Sequence, residues 1–188
     1  MKKLVTLFLK STAVCLGTAV LFSCSNSSNS ARDFLADKNL PVGTAKNIYH
    51  TYKDSGFITS KLITNRMLDF SNRKEHPYSE FPDGIKIINF ENNGLDSVTI
   101  TGDYAITYSK TSVSEIRGHV VVKNHSDFSK LITEQLFWDQ KTSYFVSEKP
   151  FTLTKENDTI FGVGFESKDN LSKHLAKKIT GKLETSEN

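Results

Sequence analysis

Val98-Thr-Ile-Thr-Gly-Asp-Tyr-Ala-Ile-Thr-Tyr108 decides how the chain is read. Val98, Ile100, Tyr104, Ile106 and Tyr108 take the even positions with Gly102 among them, and Thr99, Thr101, Asp103, Ala105 and Thr107 take the odd ones. Successive side chains of a pleated strand point to opposite faces, so this alternation predicts one half-buried β-strand. β-branched and aromatic residues dominate the run, as strands favour. One apolar face of that length must be covered by the rest of the chain or by a guest.

Working outward, strands are expected at Gly56–Thr64, Met67–Phe70, Ile85–Phe90, Val113–Lys123, Leu131–Trp138, Tyr144–Val146, Phe151–Thr154 and Thr159–Phe165. Turn-forming clusters separate them at Phe81-Pro82-Asp83-Gly84, Asn92-Asn93-Gly94, Lys123-Asn124-His125-Ser126 and Glu156-Asn157-Asp158. Leu175–Leu183 fits a helix or a strand by spacing, and Thr180 with Gly181 favours the strand. Spaced strands without a convincing amphipathic helix mean an all-β sandwich, barrel or jelly roll. Two slips in phase, at Glu134 and along Phe161, Val163 and Phe165, call for β-bulges.

Residues 1–23 read as an export signal. Lys2, Lys3 and Lys10 are basic, and Ser11–Phe22 is uncharged, largely apolar and too short to span a bilayer. The signal ends in Leu21-Phe22-Ser23-Cys24, which resembles the lipobox of bacterial lipoproteins, with Phe22 bulkier than the usual residue. Cys24 would then be lipidated and the sole cysteine of the mature chain, so no disulfide is expected. Residues 24–47 would form a lipidated cysteine and polar tether, 48–183 the folded body and 184–188 a polar tail. Losing residues 1–23 removes three lysines and no acid, leaving 21 basic against 21 acidic residues. The chain's basicity therefore gives no argument for a nucleic-acid partner.

Reactive chemistry is not signalled. His50, His76, His119, His125 and His174 are scattered without zinc spacing, and Gly162-Val163-Gly164 lacks the remainder of a dinucleotide fingerprint. No Gly-x-Ser-x-Gly, phosphate loop or His-Glu-x-x-His occurs. The expectation is a non-enzymatic protein without cofactor or metal.

Six stretches together resemble the LptC family, the periplasmic component of lipopolysaccharide transport. They are Tyr52–Ile58, Phe81–Ile85, Ile100–Ala105, Gly118–Val122, Leu131–Asp139 and Gly162–Ser167. The resemblance implies an open, twisted β-jelly roll of the LptA/LptC/OstA type that holds lipopolysaccharide acyl chains. It further implies delivery from an inner-membrane ABC transporter to an LptA-like bridge protein. In place of the family's transmembrane helix this chain has the lipobox-like Cys24, which implies a periplasmic location with a lipid anchor in the inner membrane.

The candidate groove wall is Val98, Ile100, Tyr104, Ile106, Val120, Val122, Leu136, Trp138, Phe151 and Leu153, although the same residues would equally pack a dry core. The candidate partner edge is Thr159, Ile160, Phe161, Val163, Phe165, Leu175 and Ile179, because an unpaired strand templates strand addition. The alternative is an envelope lipoprotein that binds carbohydrate or protein through surface aromatics such as Tyr78, Tyr144 and Trp138.

Overall fold

The computed structural model describes residues 28–156 and 158–180. Residues 1–23, read above as an export signal, Cys24, Gly181–Leu183 and the expected polar tail lie outside the described residues. A helix, α1 (Ser28–Asp37), occupies the middle of the stretch expected as tether, and the first strand begins inside that stretch at Gly43. It stops at Asn39, whose φ of 55° is the left-handed conformation that ends helices.

Eleven antiparallel strands follow: β1 (Gly43–Asp54), β2 (Phe57–Phe70), β3 (Tyr78–Phe81), β4 (Ile85–Glu91), β5 (Asp96–Gly102), β6 (Tyr104–Tyr108), β7 (Val113–Asn124), β8 (Lys130–Asp139), β9 (Tyr144–Lys155), β10 (Asp158–Lys168) and β11 (His174–Thr180). They form one sheet in the order β11-β10-β9-β8-β7-β5-β4-β2-β3-β6, with β1 on β2 and β6 returning to β7. The all-β jelly-roll expectation holds.

Two long strands serve both walls. β2 pairs with β4 through Ser60–Ile63 and with β3 through Leu68–Phe70. β7 pairs with β5 through Val121–Asn124 and with β6 through Val113–Arg117. The circuit β7-β5-β4-β2-β3-β6 closes on itself, while β1 and β11 each have one neighbour among the described residues and end the sheet there.

Val98–Tyr108, read as one strand, is two. The chain breaks at Asp103, whose amide donates to the carbonyls of Arg117 and Gly118 at 3.0 Å each. Opposite it, Gly118 (φ 73°) and His119 (φ 45°) form a bulge in β7, where the register against β8 shifts. A break of one residue exchanges the faces of everything beyond it. Val98 and Ile100 point inward on β5, whereas on β6 Ala105 is the buried residue.

Other boundaries move for related reasons. Gly56–Thr64 and Met67–Phe70 are one strand, β2, and Tyr144–Val146 and Phe151–Thr154 are one strand, β9. β9 continues past Pro150 because the register shifts there against both neighbours, and proline is tolerated at such irregularities. Those shifts, between Thr133 and Phe137 and between Val163 and Phe165, coincide with the two slips in the sequence pattern. β1 and β3 carry little alternation and were not anticipated.

The inward faces meet in one apolar core. Ile100, Ile116, Val120, Val122, Leu131, Leu136, Phe145, Phe165 and Leu171 are fully buried. Each such side chain is worth roughly 1.5–3 kcal/mol when taken from water, so burying this cluster is a large favourable term in folding.

Candidate functional site

Where β1, β2, β3 and β4 meet the end of β8, the core opens into a cleft of about 400 Å³. Its apolar floor is Leu62 and Met67 of β2, Phe81 of β3, Ile85 and Ile87 of β4 and Trp138 of β8. Phe81, Ile85, Ile87 and Trp138 belong to the buried core, and Leu62 and Met67 pack against it. The cleft is therefore the unfilled end of the core. Tyr52, Thr59, Ser60, Ser79, Asn89, Thr107 and Gln140 complete the lining, and none of the lining residues is charged.

Hydrogen bonds fix the walls. The Trp138 indole donates Nε1–H to Asp169 Oδ2 at 3.3 Å, and burial pushes the Asp169 carboxyl above the usual carboxylate range. Gln140 Nε2 donates to Ser114 Oγ at 2.9 Å, and Ser114 shares a 2.8 Å hydroxyl contact with Thr107. These bonds hold the Trp138, Gln140 and Thr107 side chains in place at the margin of the apolar floor.

The structure separates the ten candidate groove residues into three groups. Val98, Ile100, Val120, Val122, Leu136, Phe151 and Leu153 are buried in the filled core, away from the cleft lining. Trp138 alone reaches the cleft. Tyr104 and Ile106 lie on the outer face, because the break at Asp103 reversed the strand. Tyr104 Oη donates to Glu80 Oε1 at 2.9 Å, and desolvation with that bond raises the phenol's pKa. Beside it Arg117 pairs with Glu115 at 2.6 and 2.7 Å, which lowers the Glu115 pKa. Sequence reasoning missed Leu62, Met67, Phe81, Ile85 and Ile87. Their alternation in β2 and β4 was a usable signal, overshadowed by the longer pattern at Val98.

The partner-edge candidates divide as well. β10 is hydrogen-bonded to β9 on one side and β11 on the other, so it does not end the sheet. Phe165 is fully buried core, whereas Phe161 and Val163 face outward and are exposed. Thr159 and Ile160 pair with Thr154 and Leu153 of β9. Leu175 and Ile179 stand on the terminal strand β11, both exposed. Of the surface aromatics, Trp138 is only 7% exposed and belongs to the core.

Comparison with known proteins adds one family. No curated protein matches the chain. A family model described as "Lipopolysaccharide-assembly, LptC-related" matches residues 12–184.

Proposed function

Since the chain belongs to the LptC-related family of lipopolysaccharide-assembly proteins, we propose that it carries lipopolysaccharide by seating acyl chain in the cleft at the open end of its core. Membership in a family of transport components gives the coarser role, lipopolysaccharide transport in the periplasm at the inner membrane. The finer reading rests on one observation: an uncharged cleft of about 400 Å³ whose floor is continuous with the apolar core. An acyl chain of about a dozen carbons exposed to water costs on the order of 10 kcal/mol at ~0.8 kcal/mol per methylene. A carrier must offset that with apolar surface, and the charged saccharide would remain outside an uncharged lining.

In this reading the cargo comes from an inner-membrane ABC transporter and leaves to an LptA-like bridge protein. β11, with one backbone edge unpaired among the described residues, supplies the exit contact by strand addition. Cys24 supplies the membrane anchor by lipidation, with residues 1–23 removed, a tether that ends before β1 begins at Gly43, and the LptC-like body running from there to residue 183. Cys24→Ser should then shift the protein from the membrane to the soluble periplasmic fraction.

The test of carriage is light-activated crosslinking of lipopolysaccharide from a photoreactive residue. Probes at Leu62, Met67 or Ile87 should capture lipopolysaccharide, and a probe at outward-facing Ile106 should not. Equal capture at Ile106, or none at the three cleft positions, would overturn the reading.

A further inference from the structure

The connections at one end of the sheet are stitched into a continuous rim. They are residues 71–77 between β2 and β3, 109–112 between β6 and β7, 140–143 between β8 and β9, and 169–173 between β10 and β11. Backbone amides link each to the next: Ser109 N–H donates to the Pro77 carbonyl at 3.0 Å, Gln140 N–H to the Ser112 carbonyl at 3.1 Å and Asp169 N–H to the Ser143 carbonyl at 3.0 Å. Lysines repeat the pattern, Lys110 Nζ donating to the Lys74 carbonyl at 2.8 Å and Lys141 Nζ to the Lys110 carbonyl at 3.3 Å. An ammonium has three donors, so one carbonyl bond leaves the others for a ligand.

The two ends of the sheet differ in charge. The rim carries Arg73, Lys74, Lys110, Lys141 and Lys173 against Glu75 and Asp169, and Asp169 is engaged by the Trp138 indole. The connections at the opposite end, residues 55–56, 92–95, 125–129 and 156–157, carry Asp127 and Glu156 and no lysine or arginine. Lys74 pairs with Asp33 at 3.6 Å. Lys110, Lys141 and Lys173 are exposed and have no ion pair among the described residues.

α1 is fastened to the same rim. Asn72 Nδ2 donates to the Arg32 carbonyl at 3.0 Å and Arg73 Nη2 to Asn39 Oδ1 at 2.8 Å. Phe34 of α1 and Leu40 just beyond it are 59% and 47% exposed. Tyr78, Tyr108 and Tyr144, each half-buried, stand at the strand termini that border the rim. Ser28 precedes Arg32 by one helical turn, about 6 Å, and Cys24 precedes Ser28 by four residues, a span of at most about 14 Å. A lipidated Cys24 would thus enter its bilayer within about 20 Å of Arg32.

We infer that this rim rests on the bilayer that holds the anchor, with its lysines on the phosphates of anionic phospholipids. Cations beside exposed apolar and aromatic side chains are the composition of a membrane-interface surface. The inference rests on the anchor reading above for the identity of the partner, since the short reach from Cys24 brings this end of the molecule to the lipid. The anchor supplies attachment and the rim supplies orientation. The backbone edges of β1 and β11 are not part of the rim and stay uncovered.

The full chain is mixed with vesicles of phosphatidylcholine, alone or with phosphatidylglycerol, and acetylated briefly, and mass spectrometry reads the rate at each lysine. Lys110, Lys141 and Lys173 should react about fivefold or more slowly on the mixed vesicles, the gain expected for a lysine at an anionic surface. Lys123 and Lys130, roughly 30 Å away along β8, should keep their rates. About 1 M salt, which shortens the screening length to ~3 Å, should abolish the difference. Sedimentation with the phosphatidylcholine vesicles scores the anchor separately, so a missing anchor and a missing rim contact are told apart. Equal rates on the two kinds of vesicle, or equal slowing at Lys123 and Lys130, overturn the inference whether or not the chain sediments. Slowing that appears only when lipopolysaccharide is added to the vesicles would assign the rim to the cargo and overturn it as well.

Discussion

The indole of Trp138 is tethered to the carboxylate of Asp169 at 3.3 Å, which holds the widest side chain of the protein at the boundary between its filled core and its open cleft. One face of that boundary is packed against Phe145, with ring centroids 6.1 Å apart. The other lines the cleft.

Trp138→Ala should therefore cost about 3–5 kcal/mol of stability, the range for deleting a large buried aromatic. Urea denaturation followed by circular dichroism measures it. A loss below about 1 kcal/mol would mean that the ring merely covers the cleft and does not support the core.

Filling the cleft should separate carriage from stability. Met67→Trp places a larger apolar group where space exists, so stability should change by no more than about 1 kcal/mol, below the usual cost of overpacking a filled core. Crosslinking of lipopolysaccharide from Ile87 should fall sharply in the same variant. Retained crosslinking would show that the acyl chain lies elsewhere.

Gly162 tests the packing of the distal sheet. A Cβ there would meet the Phe151 ring at 2.7 Å and the Lys178 carbonyl still closer. Gly162→Ala should destabilise by about 1–3 kcal/mol through overpacking, read as a lower urea midpoint. An unchanged midpoint would mean that the Phe151 ring and the β11 backbone at Lys178 both give way at no cost.

Glu115 gives the structure a pH dependence on its acid side. Its carboxylate is buried and accepts from Arg117 and Gln135, and the Arg117 bond holds its pKa below the ordinary glutamate range. A depressed folded pKa contributes stability that is present above the unfolded value and lost as pH falls through the folded one. Glu115→Gln should cost about 1–3 kcal/mol at pH 7 and flatten the stability profile below about pH 4.3. Parallel wild-type and variant profiles would refute this.

His119 works in the opposite sense. It is 85% exposed at the β7 bulge, with Nδ1 2.6 Å from Asp103 Oδ2, and that bond raises its pKa above 6.5. Whatever stability the pair adds is present below the unfolded pKa and fades as pH rises through the folded value. An NMR titration should place the His119 midpoint above 6.5, and Asp103→Asn should bring it back down. A midpoint indifferent to that substitution would exclude the pair as the cause.

Period-two alternation is a property of a few neighbouring residues, so the sequence alone determined the all-β class, most strand positions and the bulges implied at Glu134 and Val163. Motif order was enough for the family, and most of the residues named for the groove at least belonged to the inward face. Which inward residues border open space was not local information. The reversal at Asp103 depends on carbonyls of Arg117 and Gly118 supplied by another strand, and it turned Tyr104 and Ile106 outward. The cleft exists because β2, β4 and Trp138 converge at one end of the sheet, and β11 is an edge because β10 finds partners on both sides. Those outcomes follow from strand pairing across the whole chain, where the free energy of covering every backbone donor and apolar face is settled jointly.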